Sequence, residues 1–329
     1  MSEGMALLTQ NLLSPLVLAF VIGMLATLVR SELELPEQVL SAISIYLVFS
    51  IALKGGTELA SSSFAEVWKP SLAAVIMAVL LPTWIFWVSR RLMRLSAPNA
   101  AGMAALYGSV SSVTFLAALS FTARVGNPAE PFLPVLVSIM EWGILTALFW
   151  ARLAMRREQA GADIPVREIL IDTLRGRSVI LLIGGLAMGY IIGEDGFKPI
   201  KPVFEDAFRG ILVFFLLEMG MVAARQLKEF IRLGPVLLAF GVLAPILHGI
   251  VGVIVGTAAG LSVGGSFVFG AIVASASYID APAAVRAALP QANPSIYLTS
   301  SLGITFPFNL LFGLPIYYQF AVWFHQTVR

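Results

Sequence analysis

Two polar clusters lie inside long apolar stretches of the sequence, at residues 107–115 and 274–282. Hydroxyl and backbone carbonyl oxygens can coordinate a sodium ion, and N–H and hydroxyl groups can bind a small anion. A single Ser or Thr in a membrane helix usually bonds within its own helix or to a neighbouring helix. Two such clusters in one chain favour a binding site instead. The candidate substrate-binding residues are Ser109, Ser111, Ser112, Thr114, Phe115, Ser275, Ser277 and Tyr278.

Three carboxylates also fall within apolar stretches, namely Glu141, Glu218 and Asp280. An ionised Asp inside a membrane helix costs at least ~2.5–3.5 kcal/mol, so such a residue is expected to have a function. Asp280 could be a sodium ligand or a proton carrier, whereas Glu141 and Glu218 could instead be neutral or paired. The candidate sodium ligands are Ser111, Thr114, Glu141 and Asp280.

Membrane-spanning helices must position these groups, because the chain is too apolar for a soluble protein. Of the 329 residues, 58% are hydrophobic and 12% are charged, and the mean hydropathy is +0.89. A soluble chain has about 45–50% apolar and about 25% charged residues. This composition excludes a cytosolic enzyme, a disordered chain and a nucleic-acid-binding protein. The sequence has no Cys and two His, so we expect no disulfide, no zinc site and no cofactor beyond a coupling sodium ion.

Ten stretches are long and apolar enough to cross a bilayer as helices, since a crossing needs about 20 residues. Their long continuous runs favour helices over a β-barrel, whose strands show a two-residue alternation. The sequence therefore predicts an all-α polytopic membrane protein. The predicted spans are 11–29, 36–54, 70–90, 99–123, 130–151, 178–194, 205–224, 233–259, 265–289 and 295–324.

The Lys and Arg residues orient these spans, because cationic loops remain on the cytoplasmic side. Fourteen of the 21 Lys and Arg residues follow odd-numbered spans. We therefore expect both termini outside, the linker 152–177 in the cytoplasm, and the chain in the plasma (inner) membrane. Lys54, near the end of span 2, is expected to extend toward the membrane surface.

The two halves of the chain share identities at a constant offset. Residues 47–49 recur as 212–214, and Ser112 recurs as Ser277, both 165 positions later. Because each half has five spans, the second half enters the membrane from the opposite side. The sequence thus predicts inverted repeats, an architecture of secondary transporters. The predicted parts are the first repeat 1–151, the linker 152–177 and the second repeat 178–329.

Spans 4 and 9 are expected to be broken helices. Pro282 cannot donate a helical hydrogen bond, and it disfavours helical geometry at Ala281. A break frees carbonyl groups for a cation, while the N-terminus of the second half-helix offers N–H groups and a positive dipole to an anion. If the two broken helices cross, both kinds of group meet at one site.

Several motifs, most of them in the second half, resemble the cyanobacterial sodium-dependent bicarbonate transporters. Lys54 and residues 108–114 are the best matches in the first half. The resemblance implies an inverted five-plus-five helix fold with a core and a gate domain, a homotrimer, and sodium-coupled bicarbonate uptake between the broken helices. The matching positions in the second half are 208–212, 219–221, 244–249, 274–277, Arg286, Ala287, Pro290, 292–295, Tyr297, Ser300 and Ser301.

Two features depart from the pattern of that family. Tyr278 stands where the family typically has an Asp, and the Asp280 carboxylate follows two residues later, about 200° around a helix. The linker 152–177 is also much shorter than in the cyanobacterial proteins. Control by a PII-like partner is therefore not inferred from the resemblance.

The residues leave several functions open. A sodium:anion symporter is the first, with bicarbonate favoured by the resemblance, and a sodium/proton antiporter that uses Asp280 and Glu141 is the second. Transport of another organic anion is a third. An intramembrane hydrolase is least favoured, because the sequence has no HExxH motif and no serine–histidine set. The expected partners are a small anion, sodium, membrane lipid and further copies of the chain, without nucleic acid.

Overall fold

A computed structural model describes residues 3–60, 63–157, 171, 175, 177–230, 234–278 and 280–328. Most of the linker 152–177 lies outside these residues, and so does the side chain of Asp280. Every regular element among the described residues is helical. The elements are α1 (Glu3–Leu12), α2 (Pro15–Leu28), α3 (Glu37–Leu59), α4 (Phe64–Arg91), α5 (Ala97–Gly108), α6 (Ser112–Arg124), α7 (Leu133–Met140), α8 (Gly143–Arg157), α9 (Arg177–Phe197), α10 (Phe208–Phe230), α11 (Pro235–Ala258), α12 (Val263–Val273), α13 (Asp280–Ala288) and the helical segment α14 (Pro294–Val328).

Eight helical segments of the described chain are long and apolar enough to cross a membrane, as an all-α polytopic membrane protein requires. The α2 and α12 helices are apolar but shorter, at 14 and 11 residues. The first predicted span is therefore too long at its start. Ser14 caps α2 and Pro15 occupies its first turn, which separates α2 from an additional short helix, α1.

The helices pack in two groups. The four-helix group consists of α2, α3, α9 and α10, in which α3 lies against α9 and α2 lies against α10. The large group contains α4–α8 and α11–α14, in which α4, α5 and α8 pack together and α11, α12 and the last part of α14 pack together. The α5 helix leads into the first polar cluster and α12 leads into the second, while α6 packs on α12 and α13 packs on α5 and α8.

Glycines bring the helices of the four-helix group into backbone contact. A Cβ atom on Gly23 of α2 would lie 1.9 Å from the Leu217 carbonyl oxygen, and one on Gly220 of α10 would lie 2.0 Å from that of Phe20. Only glycine allows this approach, which favours association in lipid, where packing replaces the hydrophobic effect.

The contact between α3 and α9 has the same construction. A Cβ atom on Gly189 would lie 2.0 Å from the Leu53 carbonyl oxygen, and one on Gly56 would lie 2.2 Å from that of Leu186. The corresponding residues of the two contacts are 164–166 positions apart in the chain. The α2–α10 and α3–α9 contacts are therefore built alike.

The close contact of α3 with α9 predicts a position-specific effect of adding one methyl group. Gly189→Ala should lower the melting temperature in detergent, because overpacking costs about 1–3 kcal/mol. Gly184→Ala, on the same helix, is the matched control, since no described atom outside its own turn of helix lies within 4 Å of the added Cβ. The control should leave the melting temperature unchanged or raise it, because Ala favours helix. Equal melting temperatures of the two variants would contradict this packing.

Candidate functional site

Both polar clusters lie where a helix is interrupted. The α5 helix ends at Gly108 and α6 begins at Ser112, with Ser109 and Ser111 in extended conformation between them. The Ser111 hydroxyl accepts a hydrogen bond from the Thr114 N–H at 3.2 Å and so caps α6. In the second cluster α12 ends at Val273 and α13 begins at Asp280.

The two interruptions bond directly to each other. The Ser111 N–H donates to the Ser275 hydroxyl oxygen at 2.9 Å, and the Ser277 N–H donates to the Leu106 carbonyl oxygen at 2.7 Å. The Ser275 hydroxyl also donates to the Ile272 carbonyl oxygen at 2.7 Å. These groups are buried, so each bond satisfies a backbone group that the break would otherwise leave unpaired.

The remaining residues of the two clusters surround this connection. Thr114 and Phe115 are buried in the first turn of α6, whereas Ser112 is half-buried. The Tyr278 hydroxyl is buried beside Ser111 and has no hydrogen bond of good geometry to the described residues. The Tyr278 ring packs on Phe306 of α14, with ring centroids 5.4 Å apart.

Ser109 has a different partner from the other hydroxyls. Its hydroxyl donates to Glu141 Oε2 at 2.5 Å, and the Glu141 side chain is buried between α7 and α8. The start of α8 also packs closely on the end of α5. A Cβ on Gly143 would lie 1.8 Å from the Gly108 carbonyl oxygen. The structure thus joins Glu141 to the first break through Ser109.

Asn309 of α14 makes the equivalent contact at the second break, and it is absent from the residues identified in the sequence. Its Nδ2 donates to the Ala274 carbonyl oxygen at 2.9 Å, and its Oδ1 accepts from the Tyr317 hydroxyl at 2.8 Å. Ala274 lies 165 positions after Ser109, which is the offset of the sequence identities between the two halves. The available signal for this residue was an Asn side chain inside the apolar predicted span 295–324.

Three other polar residues lie elsewhere. Glu218 of α10 is buried, its Oε2 has no hydrogen-bond partner in the described chain, and it faces the Leu35 backbone and Arg225. Both ring nitrogens of the buried His248 likewise have no described partner. Lys54, which the sequence predicts to extend toward the membrane surface, pairs through its Nζ with Glu205 Oε1 at 2.9 Å.

A cavity of about 540 Å³ lies between the four-helix group and the large group. It is lined by Ser50 and Lys54 of α3, Arg209 of α10, and Ser120 and Thr122 of α6. The cavity thus adjoins the last turns of α6, whose first turn lies at the crossed breaks.

The bond between the breaks predicts that Ser275 contributes more to stability than a similar buried serine. Ser275→Ala leaves the Ser111 N–H unpaired, which costs about 1–3 kcal/mol. Ser300→Ala is the matched control, because among the described residues the buried Ser300 hydroxyl bonds only the Ile296 carbonyl of its own helix. Denaturant unfolding of both variants measures the difference, and equal losses would mean that the crossing bond adds no stability.

A family model described as the Na+-dependent bicarbonate transporter superfamily matches residues 15–322, which is nearly the whole chain. A search of curated proteins gives no significant match.

Proposed function

We propose that this chain, which belongs to the Na+-dependent bicarbonate transporter superfamily, is a secondary active transporter that couples sodium entry to the uptake of a small anion. Bicarbonate is the anion that the family favours. One structural observation carries the proposal most directly, namely the two helix breaks that bond to each other within apolar helices.

The crossed breaks offer the groups that sodium and a small anion require. The N-terminus of α6 presents N–H groups and a positive dipole, and the ends of α5 and α12 present carbonyl oxygens. Neither segment 107–115 nor segment 274–282 contains Lys or Arg. Hydroxyl and N–H groups alone suit a small, singly charged anion better than a dicarboxylate.

We assign the substrate to the hydroxyls of the crossed breaks and sodium to the oxygens beside them. Ser109, Ser111, Ser112, Ser275, Ser277 and Tyr278 would contact the anion, with Thr114 and Phe115 behind them. Ser111, Thr114 and Asp280 would supply sodium ligands. The proposal gives Glu141 one of two roles, either as a direct ligand or as the group that positions Ser109.

Two inverted repeats, residues 1–151 and 178–329, would generate the site. Two structural features support the repeats. The α2–α10 and α3–α9 contacts are built alike, and the contacts of Glu141 and Asn309 occur at breaks 165 positions apart. In this scheme both termini are outside, and the ten spans include the short helices α2 and α12.

Transport would proceed by alternating access, with the large group as the core domain and the four-helix group as the gate. The cavity between the groups would then be the outer entrance, because Lys54 and Arg209 lie on the side opposite the cationic loops. A homotrimer in the plasma (inner) membrane completes the proposal, and the family resemblance is its support.

A sodium/proton antiporter is the alternative that the buried Glu141 at a helix break favours. In that mechanism Asp280 and Glu141 would exchange sodium and protons without binding an anion. The two mechanisms differ in whether sodium drives anion uptake and in whether the carboxylates must change protonation.

The proposal predicts sodium-driven uptake of radiolabelled bicarbonate by proteoliposomes. Asp280→Asn should raise the sodium concentration for half-maximal uptake roughly tenfold or more, which corresponds to about 1.4 kcal/mol. The Asn side chain keeps a neutral oxygen and a similar volume but removes the charge. Asp195→Asn is the matched control, because Asp195 is exposed and pairs with Lys198.

Uptake should be measured against sodium concentration at two pH values. Wild-type transport that follows the pH gradient and ignores sodium would contradict the symporter and support the antiporter. Full sodium-driven uptake by Asp280→Asn would remove Asp280 from the sodium site.

A further inference from the structure

One arginine lines the cavity between the four-helix group and the large group, and a second follows its lining residues in the chain. Arg209 lines the cavity from the first turn of α10, and Arg124 ends α6 directly after the lining residues Thr122 and Ala123. Neither forms an ion pair with a carboxylate of the described chain.

Arg124 is held in place although its charge is not neutralised. One guanidinium nitrogen donates to the neutral Asn11 Oδ1 at 3.4 Å, and the group lies 5.4 Å from the centre of the Phe121 ring. Its Nε is buried and has no described hydrogen-bond partner. A partly buried cation without a counter-charge is costly, and an anion beside it would lower that cost.

Lys54 adds a third cation to the cavity wall. Its partner Glu205 lies between two ammonium groups, at 2.9 Å from Lys54 Nζ and 3.9 Å from Lys201 Nζ. Asp206 is the second carboxylate of the wall. Lys54 and Arg209 thus share the wall with Glu205 and Asp206, while Arg124, Lys201 and Glu130 adjoin it, so cations outnumber carboxylates by four to three.

We propose that this cavity is an anion-capture site, in which Arg124 and Arg209 hold a small inorganic anion before it reaches the crossed breaks. The site is separate from the substrate residues, which contain no cation. Its role in uptake rests on the proposed function, because it places the capture step on the entry path. The positive wall attracts anions and repels cations, so it raises the local anion concentration.

A charge probe tests the site without any transport. The chain has no Cys, so Ser120→Cys places one thiol on the cavity wall. The thiol is modified in neutral detergent by an anionic reagent, sulfonatoethyl methanethiosulfonate, and separately by its cationic trimethylammonium counterpart. The anionic reagent should react faster than the cationic one once each rate is divided by that reagent's rate with a free thiol. Adding Arg209→Gln or Arg124→Gln should lower the ratio of the anionic to the cationic rate roughly fourfold for a charge about 10 Å away.

Three comparisons make the labelling decisive. Arg209→Lys keeps the charge and should keep the ratio, whereas Lys198→Gln removes a charge that pairs with Asp195 away from the cavity and should change it little. Salt at about 1 M should abolish the differences by screening. An unchanged ratio in both Arg→Gln variants would overturn the capture site.

Transport then connects the site to uptake. Arg209→Gln should raise the KM for bicarbonate several-fold at low salt and leave the turnover number unchanged, and the difference should disappear at high salt. A wild-type protein that fails to transport bicarbonate would refute the proposed function, while the labelling ratio still decides the capture site. An altered labelling ratio with an unchanged KM would remove the site from the entry path.

Discussion

The need to satisfy every backbone polar group inside the membrane governs this structure. A helix that stops within a bilayer leaves N–H and carbonyl groups unpaired, and no water is present to bond them. Here the two breaks bond each other, through Ser111 with Ser275 and through Ser277 with Leu106. Each break therefore depends on the other, which explains why two interrupted helices lie side by side in the large group.

Neighbouring helices complete this arrangement with side chains. Glu141 fixes Ser109 beside the first break, and Asn309 fixes Ala274 beside the second. The remaining hydroxyls and half-helix ends can then face a ligand. The four-helix group contains neither break, and its glycine contacts make it a separate packing unit. In the proposed mechanism the large group would hold the site, and the four-helix group beside it would be the gate.

The sequence was sufficient for the all-helical membrane fold and for the family, because apolar length and a few motifs determine both. Clustered hydroxyls also indicated where the breaks lie, since neither segment is suited to a continuous helix. It could not show that Ser109 faces Glu141 while Ser111 faces Ser275, because the break changes the direction of successive side chains. Asn309 was missed since its role depends on a carbonyl 35 residues away. Arg209 lies at the same cavity as the last turn of α6 only because the helices pack together.

The most direct test of the account is a disulfide between the two groups of helices. Gly55 of α3 lies against Pro134 of α7, where an added Cβ would be 2.8 Å from the proline ring. In the Gly55→Cys, Pro134→Cys protein, oxidation should stop sodium-driven bicarbonate uptake and reduction should restore it. The single variant Pro134→Cys cannot form this disulfide and should transport under both oxidising and reducing conditions. Full uptake by the oxidised Gly55–Pro134 protein would contradict movement of one group against the other.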